Sequence, residues 1–250
     1  MNSYILIVAA VAQELSKFMG LIKIPVSSIV GGRKIISGQI DGKSVKMMIT
    51  GPGIANTVQA LTAVIEKSRP CLLIQVGCGG AFNESGLHLG DIGIATREID
   101  AYMGIETETG NFPLDELPFP LASYNNINVK NCYPMNTNLV DTAFKTLIKN
   151  CADKNIGMGK GPFITVPTIT ATNRTAKNLY KQFGAIMENM EGTGAAHLSM
   201  HYNIPFLEIR SVSNMVGKRD TSLWNLPLAF QRASDTIFEL VCKLPDPYDV

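Results

Sequence analysis

Residues 71–80 read Cys71-Leu72-Leu73-Ile74-Gln75-Val76-Gly77-Cys78-Gly79-Gly80, and this stretch decides the fold. Its first six residues are almost entirely apolar and too few for a helix, which is typical of a strand buried on both faces. The glycines that follow predict a turn in which the backbone can come close to a ligand. Strands buried on both faces occur in parallel sheets covered by helices, so the stretch predicts an α/β protein.

Further strands are predicted on both sides of this stretch. Residues 4–10 form a second continuous apolar run, and residues 26–29, 34–40 and 44–49 have a strand-like pattern. The hairpin signal Asp41-Gly42 joins the last two of these strands. Residues 90–96, 163–166 and 206–212 are predicted strands as well.

Helices are predicted between the strands. In the first one, apolar side chains share a face at i, i+4, i+7 and i+11, namely Ile54, Val58, Leu61 and Ile65. Other helices are predicted at residues 139–148, 174–183, 190–202 and 226–243. Because strands and helices alternate without a break in composition, we expect a single α/β domain over residues 1–250. Its central sheet should be mixed, mostly parallel and flanked by helices.

The composition predicts a folded protein of the cytoplasm. Apolar residues make up 46% of the chain and charged residues 17%, which is enough for a large core. A net charge of +1 without a Lys/Arg cluster argues against nucleic acid or an anionic membrane as a partner. The chain starts without the basic region of a signal peptide, and no apolar run approaches the roughly 18 residues of a transmembrane helix. The five cysteines follow no disulfide or metal spacing, so we expect free thiols.

Several polar residues follow predicted strands, where ligands bind in sheets of this type. Glu14 follows the first strand, Asn214 follows the strand at 206–212, and Glu191 begins a helix. For the two glutamates an equally good interpretation is that a carboxylate at a helix start is favoured by the helix dipole. The glycines of 51–53 and 77–80 offer backbone N–H groups to ligand oxygens, and they are equally typical of ordinary turns between strands and helices.

Known catalytic and cofactor motifs are missing from the sequence. Gly77-Cys78-Gly79-Gly80 lacks the G-x-G-x-x-G spacing of dinucleotide-binding folds, and no G-x-S-x-G turn is present. His197 and His201 would share a helix face, but the H-E-x-x-H motif of zinc proteases is not there because Leu198 takes the place of the acidic residue. We therefore expect neither a metal nor a cofactor.

A set of specific stretches occurs in a fixed order along the chain: Leu89-Gly90-Asp91-Ile92-Gly93, Gly104-Ile105-Glu106-Thr107-Glu108-Thr109-Gly110, Gly161-Pro162-Phe163-Ile164-Thr165-Val166, Met190-Glu191-Gly192, the run from Glu208 to Asp220, and Trp224. With this order and spacing, the sequence resembles the nucleoside phosphorylase and nucleosidase superfamily, and within it the futalosine hydrolases. The resemblance covers most of the chain and implies a nucleoside phosphorylase-like fold.

The resemblance implies a role for each matching residue. Glu14 would position and deprotonate the attacking water, and Glu191 would bind the 2′- and 3′-hydroxyls of the ribose. Met190 would pack against the sugar, and Gly79 would line the sugar and the base. Thr168 and Ile169 correspond to the segment that sandwiches the purine. Asn214 would face the base edge near N7.

Two departures within the superfamily define the predicted reaction. Phosphorylases typically carry an Arg soon after the first strand, whereas this chain has Gln13-Glu14, and a carboxylate repels phosphate. Adenosine-type nucleosidases have Asp where this chain has Asn214. An amide can offer two donors to N7 and O6, so we expect a 6-oxopurine nucleoside as substrate.

The predicted function is hydrolysis of futalosine to hypoxanthine and dehypoxanthine futalosine in menaquinone biosynthesis. One alternative is a nucleosidase for a 6-aminopurine substrate, aminodeoxyfutalosine or methylthioadenosine. Another is a nucleoside-binding protein without activity. The partners expected are the nucleoside, water and a second copy of the chain.

The polar excursion at residues 100–135 contains the predicted dimer contact. By resemblance, a loop at residues 102–113 would complete the neighbouring subunit's pocket at the 5′ end of the substrate. Futalosine carries a benzoate there, and three basic residues are candidates to bind it: Arg97, Lys218 and Arg219.

Overall fold

The computed structural model describes residues 3–106, 108, 116–124 and 127–245. Of the predicted dimer loop at 102–113, residues 107 and 109–113 lie outside these ranges.

The strands include every predicted one. In chain order they are β1 (Ile5–Ala9), β2 (Lys23–Val30), β3 (Arg33–Ile40), β4 (Lys43–Ile49), β5 (Leu72–Ala81), β6 (Ile92–Asp100), β7 (Ala122–Tyr124), β8 (Ile127–Val129), β9 (Cys132–Pro134), β10 (Met158–Thr165), β11 (Met187–Asn189) and β12 (Phe206–Met215).

The helices include every predicted one and, in addition, one short helix before β2 that the periodicity does not predict. They are α1 (Ser16–Met19), α2 (Ile54–Lys67), α3 (Thr137–Asp153), α4 (Asn173–Phe183), α5 (Gly192–His201) and α6 (Leu226–Lys243), with short 3-10 turns at Ala12–Leu15, Asn83–Ser85 and Thr221–Leu223. In the described part of the chain, no helix is long and apolar enough to cross a membrane.

The main sheet is mixed, which confirms the predicted α/β class. Its strands are ordered β11-β10-β6-β12-β5-β1-β4-β3-β2, with β9 beside β6. The ladders β4–β1–β5–β12 and β6–β10–β11 are parallel. The β2–β3–β4 meander and the contact between β12 and β6 are antiparallel.

One further pairing bends the sheet into a ring. β11 pairs with β5 in the antiparallel direction as well as with β10, so β5, β12, β6, β10 and β11 close on themselves. This closure brings together side chains that are more than 100 residues apart in the sequence. The site described below depends on it.

Helices cover the sheet through apolar faces. The last helix, α6, packs on β5 and β12 and buries Ala229, Ala233, Ile237 and Leu240, whose spacing of three and four residues places them on one face. Asn225 caps its first turn by accepting the N–H of Leu228, and Pro227 falls in that turn, where proline is tolerated.

Glycine or proline explains two of the differences between the predicted and the observed element boundaries. Gly77 to Gly80 do not form a turn; they belong to β5, which continues to Ala81. Glycine occupies three of these four positions because other groups approach the backbone of the strand too closely to leave room for a side chain. β10 starts at Met158 rather than at residue 163, with a bulge between Gly161 and Pro162 that accommodates the proline.

The described part of the excursion at 100–135 contains short strands. β7 and β8 form a two-stranded sheet, and β9 pairs with β6.

Candidate functional site

A cavity of about 260 Å³ opens at the carboxyl ends of β1, β5 and β12. This is the edge where α/β sheets bind ligands. The residues that line it are Ala10, Val11, Glu14, Cys78, Gly79, Gly80, Val166, Ile169, Glu188, Asn189, Met190, Glu191, Arg210, Ser213, Asn214, Trp224, Leu226 and Phe230. Six of the seven site residues predicted from the sequence are among them. Thr168 is exposed and does not line the cavity, although its neighbour Ile169 does.

Backbone N–H groups hold Glu14 just after β1. Its Oε2 accepts the N–H of Ala10 at 3.0 Å and of Val11 at 3.1 Å, and its Oε1 accepts the N–H of Cys78 at 2.8 Å. Burial raises the pKa of Glu14, and Arg210 offsets part of that effect. A carboxylate has about four acceptor positions, so one stays available for a molecule in the cavity. A fixed carboxylate with a raised pKa is suited to remove a proton from water.

β5 passes Glu14 at a residue without a side chain. A Cβ atom at Gly77 would lie 2.6 Å from Glu14 Oε1 and 3.1 Å from Arg210 Nη1. The neighbouring Cys78 lines the cavity, but burial, reinforced by Glu14, raises the pKa of its thiol to about 12. The thiol is therefore neutral near pH 7, and a thiolate nucleophile is not available at this position.

Arg210 is the one cationic side chain among the described residues that line the cavity. Its Nε donates to Glu208 Oε1 at 2.8 Å, and its Nη1 donates to the carbonyl oxygen of Cys78 at 2.9 Å. Its Nη2 lies 3.1 Å from Glu191 Oε2. The guanidinium is 2% exposed, so these buried partners, rather than water, balance its charge.

Glu191 lies directly before α5 and is fixed from two sides. Its Oε2 pairs with Arg210, and its Oε1 accepts the N–H of Gly53 at 3.0 Å. Gly53 has a φ of 89°, a conformation that glycine adopts easily. The predicted Gly51-Pro52-Gly53 turn therefore supports a cavity carboxylate and does not itself line the cavity.

A buried pair of carboxyl groups, Glu98 and Glu208, lies behind Arg210. A Cβ atom at Gly192 would lie 2.3 Å from Glu98 Oε1 and 2.4 Å from Glu208 Oε2, so these two oxygens are neighbours. Burial and then the Glu208 charge raise the pKa of Glu98 well above its usual range. Glu98 is the protonated member of the pair, because Glu208 has the charge of Arg210 beside it.

Asn189 connects Glu98 to the backbone of Glu191. Its Nδ2 donates to Glu98 Oε1 at 2.6 Å, and its Oδ1 accepts the N–H groups of Glu191 at 2.9 Å and Gly192 at 2.7 Å. The hydroxyl of Thr165 donates to Glu98 Oε2 at 2.7 Å. Glu191 is thus held through its backbone by Asn189 and through its side chain by Arg210.

Asn214 lies near the end of β12, at a bulge in the ladder with β5. Its Oδ1 lies 2.8 Å from the hydroxyl oxygen of Ser213, which can donate to it, and its Nδ2 contacts the carbonyl oxygen of Met215 at 3.3 Å. In this orientation the donor end of the amide lies beside Gly80, where a Cβ atom would be 3.1 Å from Nδ2. The cavity wall therefore has a hydrogen-bond donor beside Gly80, and the carboxylate of Glu14 lies further along β5, beside Gly77.

Apolar side chains form the rest of the wall. Val166, Ile169 and Met190 come from the segments after β10 and β11, and Trp224, Leu226 and Phe230 come from the start of α6. None of the three basic residues predicted for the benzoate lines the cavity. Arg219, however, lies over the ring of Trp224 at 5.5 Å from its centroid.

Sequence reasoning missed Arg210, Glu208, Glu98, Asn189 and Glu188. A signal was present: Glu208 and Arg210 alternate with apolar residues in an otherwise buried strand, and buried charges in strands require partners. Their partners could not be read from the sequence, because Glu98 and Glu191 belong to other strands and loops.

The chain matches a known protein family along nearly its whole length. The family model described as the phosphorylase superfamily matches residues 4–244. A 5′-methylthioadenosine/S-adenosylhomocysteine nucleosidase of Desulfotalea psychrophila is 28% identical over 96% of this chain and 97% of its own length. A futalosine hydrolase of Streptomyces coelicolor is also 28% identical, over 68% of this chain and 64% of its own length.

Solved structures share the fold. The 5′-methylthioadenosine/S-adenosylhomocysteine nucleosidase of Colwellia psychrerythraea 34H, in complex with adenine, superimposes with a TM-score of 0.82 at 20% identity, covering 98% of this chain and 96% of that one. With the family model matching nearly the whole length, this chain belongs to the phosphorylase superfamily.

Proposed function

We propose that this protein is a purine nucleosidase, which hydrolyses the bond between a purine base and ribose. Glu14 removes a proton from a water molecule that attacks the anomeric carbon. Glu191 accepts hydrogen bonds from the 2′- and 3′-hydroxyls, with Met190 against the sugar and Gly79 beneath it. Asn214 donates to the departing base, and Ile169 covers the purine. Thr168 would belong to the same purine-binding segment, although its side chain does not line the cavity.

The charge balance of the cavity is the observation that supports hydrolysis. Glycosidic cleavage passes through a cation-like ribosyl group, which the carboxylates Glu14 and Glu191 stabilise. Phosphorolysis would need free positive charge for a phosphate dianion. Arg210, the one cation among the described lining residues, is already bound by Glu208 and Glu191. Water is therefore the nucleophile that fits.

The base that fits best is hypoxanthine. With its Oδ1 beside the Ser213 hydroxyl, the Asn214 amide presents Nδ2 to the cavity as a donor. The N7 and O6 atoms of a 6-oxopurine accept hydrogen bonds, whereas a 6-amino group would place two donors together. The proposed substrate is futalosine, which would place the reaction in menaquinone biosynthesis in the cytoplasm.

Arg219 is the proposed partner of the benzoate of futalosine. It contacts the cavity-lining side chain of Trp224, which supports this role for Arg219 over Arg97 and Lys218. Arg219→Gln should raise KM for futalosine and leave KM for inosine, which has no benzoate, unchanged. An equal change for both nucleosides would remove Arg219 from this role.

A second candidate is a methylthioadenosine nucleosidase. It is favoured by the Desulfotalea psychrophila relative, which matches along nearly the whole chain, whereas the futalosine hydrolase of Streptomyces coelicolor matches over 68% of it. Incubation with futalosine and, separately, with methylthioadenosine, followed by quantification of the released base, distinguishes the two. Faster release of adenine than of hypoxanthine would refute the futalosine assignment.

The alternative that this is a nucleoside-binding protein without activity is tested by substituting Glu14. Glu14→Gln should abolish most turnover and retain substrate binding, because the change removes the base but not the ribose or purine contacts. Wild-type protein that binds futalosine without releasing a base would favour the binding protein.

We also infer a homodimer formed through the loop at 102–113. In its described part, Tyr102, Met103 and Ile105 are exposed at 38%, 36% and 44%, which is unusual for adjacent large apolar residues. Light scattering after size exclusion should give twice the chain mass. A monomeric mass with full activity would contradict this inference.

A further inference from the structure

Glu188 is a buried carboxylate in the wall of the cavity for which the mechanism above has no role. It lies in β11 and is 4% exposed. Its Oε1 accepts the N–H of Thr170 at 3.3 Å, whereas its Oε2 has no hydrogen-bond partner among the described residues. Buried polar atoms without a partner are rare and unfavourable, so this oxygen is suited to accept a hydrogen bond from a ligand.

The sheet register places Glu188 at the same end of the cavity as Asn214. Gly80 of β5 is paired with Glu188 of β11 on one side and with Asn214 of β12 on the other. A Cβ atom at Gly80 would lie 3.1 Å from Asn214 Nδ2 and 3.4 Å from Glu188 Cγ. The three residues therefore form one row across the strands, with an acceptor and a donor on either side of a residue that has no side chain.

We propose that Glu188 determines the specificity for the base by accepting a hydrogen bond from the N1–H of a 6-oxopurine. The proposal rests on the proposed purine nucleosidase function and extends it to the recognition of the base. A 6-oxopurine offers the N1–H donor next to the O6 acceptor, and the row offers the Glu188 acceptor next to the Asn214 donor. A 6-aminopurine has an acceptor at N1, which would face the carboxylate acceptor.

Thr170 leaves Glu188 able to accept this bond. Burial raises the pKa of Glu188, and the Thr170 backbone N–H bound to Oε1 and the nearby Thr170 hydroxyl offset part of that effect. With the Thr170 N–H bound to Oε1, a carboxylate with about four acceptor positions can still accept another donor from the cavity. Hydrogen bonds to charged groups are the stronger ones, so the N1–H contact should contribute substantially to affinity.

The test measures binding of free bases by calorimetry, which does not depend on turnover. Wild-type protein should bind hypoxanthine roughly 10- to 100-fold more tightly than 1-methylhypoxanthine, which lacks the N1–H. Equal affinities would overturn the proposal. This comparison needs no variant and is independent of the folding of any substituted protein.

A variant series supplies the second arm. Glu188→Gln should weaken hypoxanthine binding by about 10-fold or more and narrow the preference for hypoxanthine over adenine, because an amide can also donate to adenine N1. Glu84→Gln, the same change at an exposed position outside the cavity, should alter neither affinity. If Glu188→Gln keeps the wild-type preference for hypoxanthine over adenine, as it would if affinity for both bases fell equally, the proposal is overturned.

The same measurements distinguish this proposal from the proposed function. If the protein binds hypoxanthine through Glu188 but releases no base from any purine nucleoside, the nucleosidase assignment fails and the base recognition stands. If futalosine is hydrolysed while 1-methylhypoxanthine binds as tightly as hypoxanthine, only the role of Glu188 fails.

Discussion

Glu98→Gln and Glu208→Gln should have very different effects on stability and activity. Both side chains are fully buried, and Glu208 Oε1 binds Arg210 Nε at 2.8 Å. Glu208 Oε2 has no hydrogen-bond partner in the described part of the chain, and it lies near Glu98 Oε1. If both groups were ionised, these two oxygens would repel each other. A proton on Glu98 that is donated to Glu208 satisfies both oxygens. Glu98 then acts as a neutral acid and Glu208 as the anion.

Glu98→Gln exchanges a neutral acid for a neutral amide of the same size. The amide cannot both donate to Glu208 and accept from Asn189 at one atom, so about one neutral hydrogen bond is lost, which costs about 1 kcal/mol of unfolding free energy. Glu208→Gln removes the charged partner of Arg210. Breaking a buried ion pair from one side costs about 3–5 kcal/mol. It also leaves Arg210 free to move away from Glu191, so kcat/KM should fall far more than in Glu98→Gln.

Urea unfolding at pH 7 and the rate of base release measure both effects, with Glu84→Gln as the exposed control. The pH dependence adds an independent check. The pKa of Glu98 is raised in the folded protein, so its contribution to stability is complete below the pKa of an unfolded carboxyl group and is lost as the pH rises through the folded value. Glu98→Gln should remove this loss. The reasoning is refuted if Glu98→Gln is as destabilising as Glu208→Gln.

Three further predictions concern Gly77, Glu14 and Lys43. Gly77→Ala places a Cβ atom 2.6 Å from Glu14 Oε1, so kcat should fall at least about 10-fold with the far-UV spectrum unchanged; full activity would contradict the fixed position of Glu14. Because burial raises the pKa of Glu14, kcat/KM should decline on acidification with a midpoint above the usual range of a glutamate side chain, and a midpoint within or below that range would contradict its role as base. Lys43 Nζ donates to the carbonyl oxygens of Val241, Cys242 and Leu244 at 2.7, 3.1 and 2.7 Å at the end of α6. Lys43→Met should therefore lower the unfolding free energy by about 1.5–3 kcal/mol and leave kcat/KM intact, and unchanged stability would show that these bonds contribute nothing.

Much of the fold follows from local pattern. The apolar face of α6 predicts its bounds at 226 and 243, and the continuous apolar runs predict β1 and the first part of β5. Local pattern fails at Gly77 to Gly80, because the reason for these glycines is the close approach of Glu14, Glu188 and Asn214 from other elements. Without those neighbours in view, glycine in the sequence indicates a turn.

The candidate site was predictable where it follows a strand end and not where it depends on the ring of strands. Glu14 and Asn214 stand after predicted strands, and both line the cavity. Glu188 lies in a strand of three residues, too short to produce a periodic signal, and only its pairing with β5 places it beside Asn214. Glu98 and Glu208 are 110 positions apart, and the direct antiparallel pairing of β12 with β6 brings their strands together beside Arg210.

The central claim is that this cavity uses water to cleave a purine nucleoside. Mass spectrometry of the sugar product formed from futalosine in phosphate buffer tests it most directly. The account predicts a free sugar together with hypoxanthine, formed by the wild-type protein and nearly absent with Glu14→Gln. A sugar phosphate as the main product, or undiminished turnover by Glu14→Gln, would contradict it.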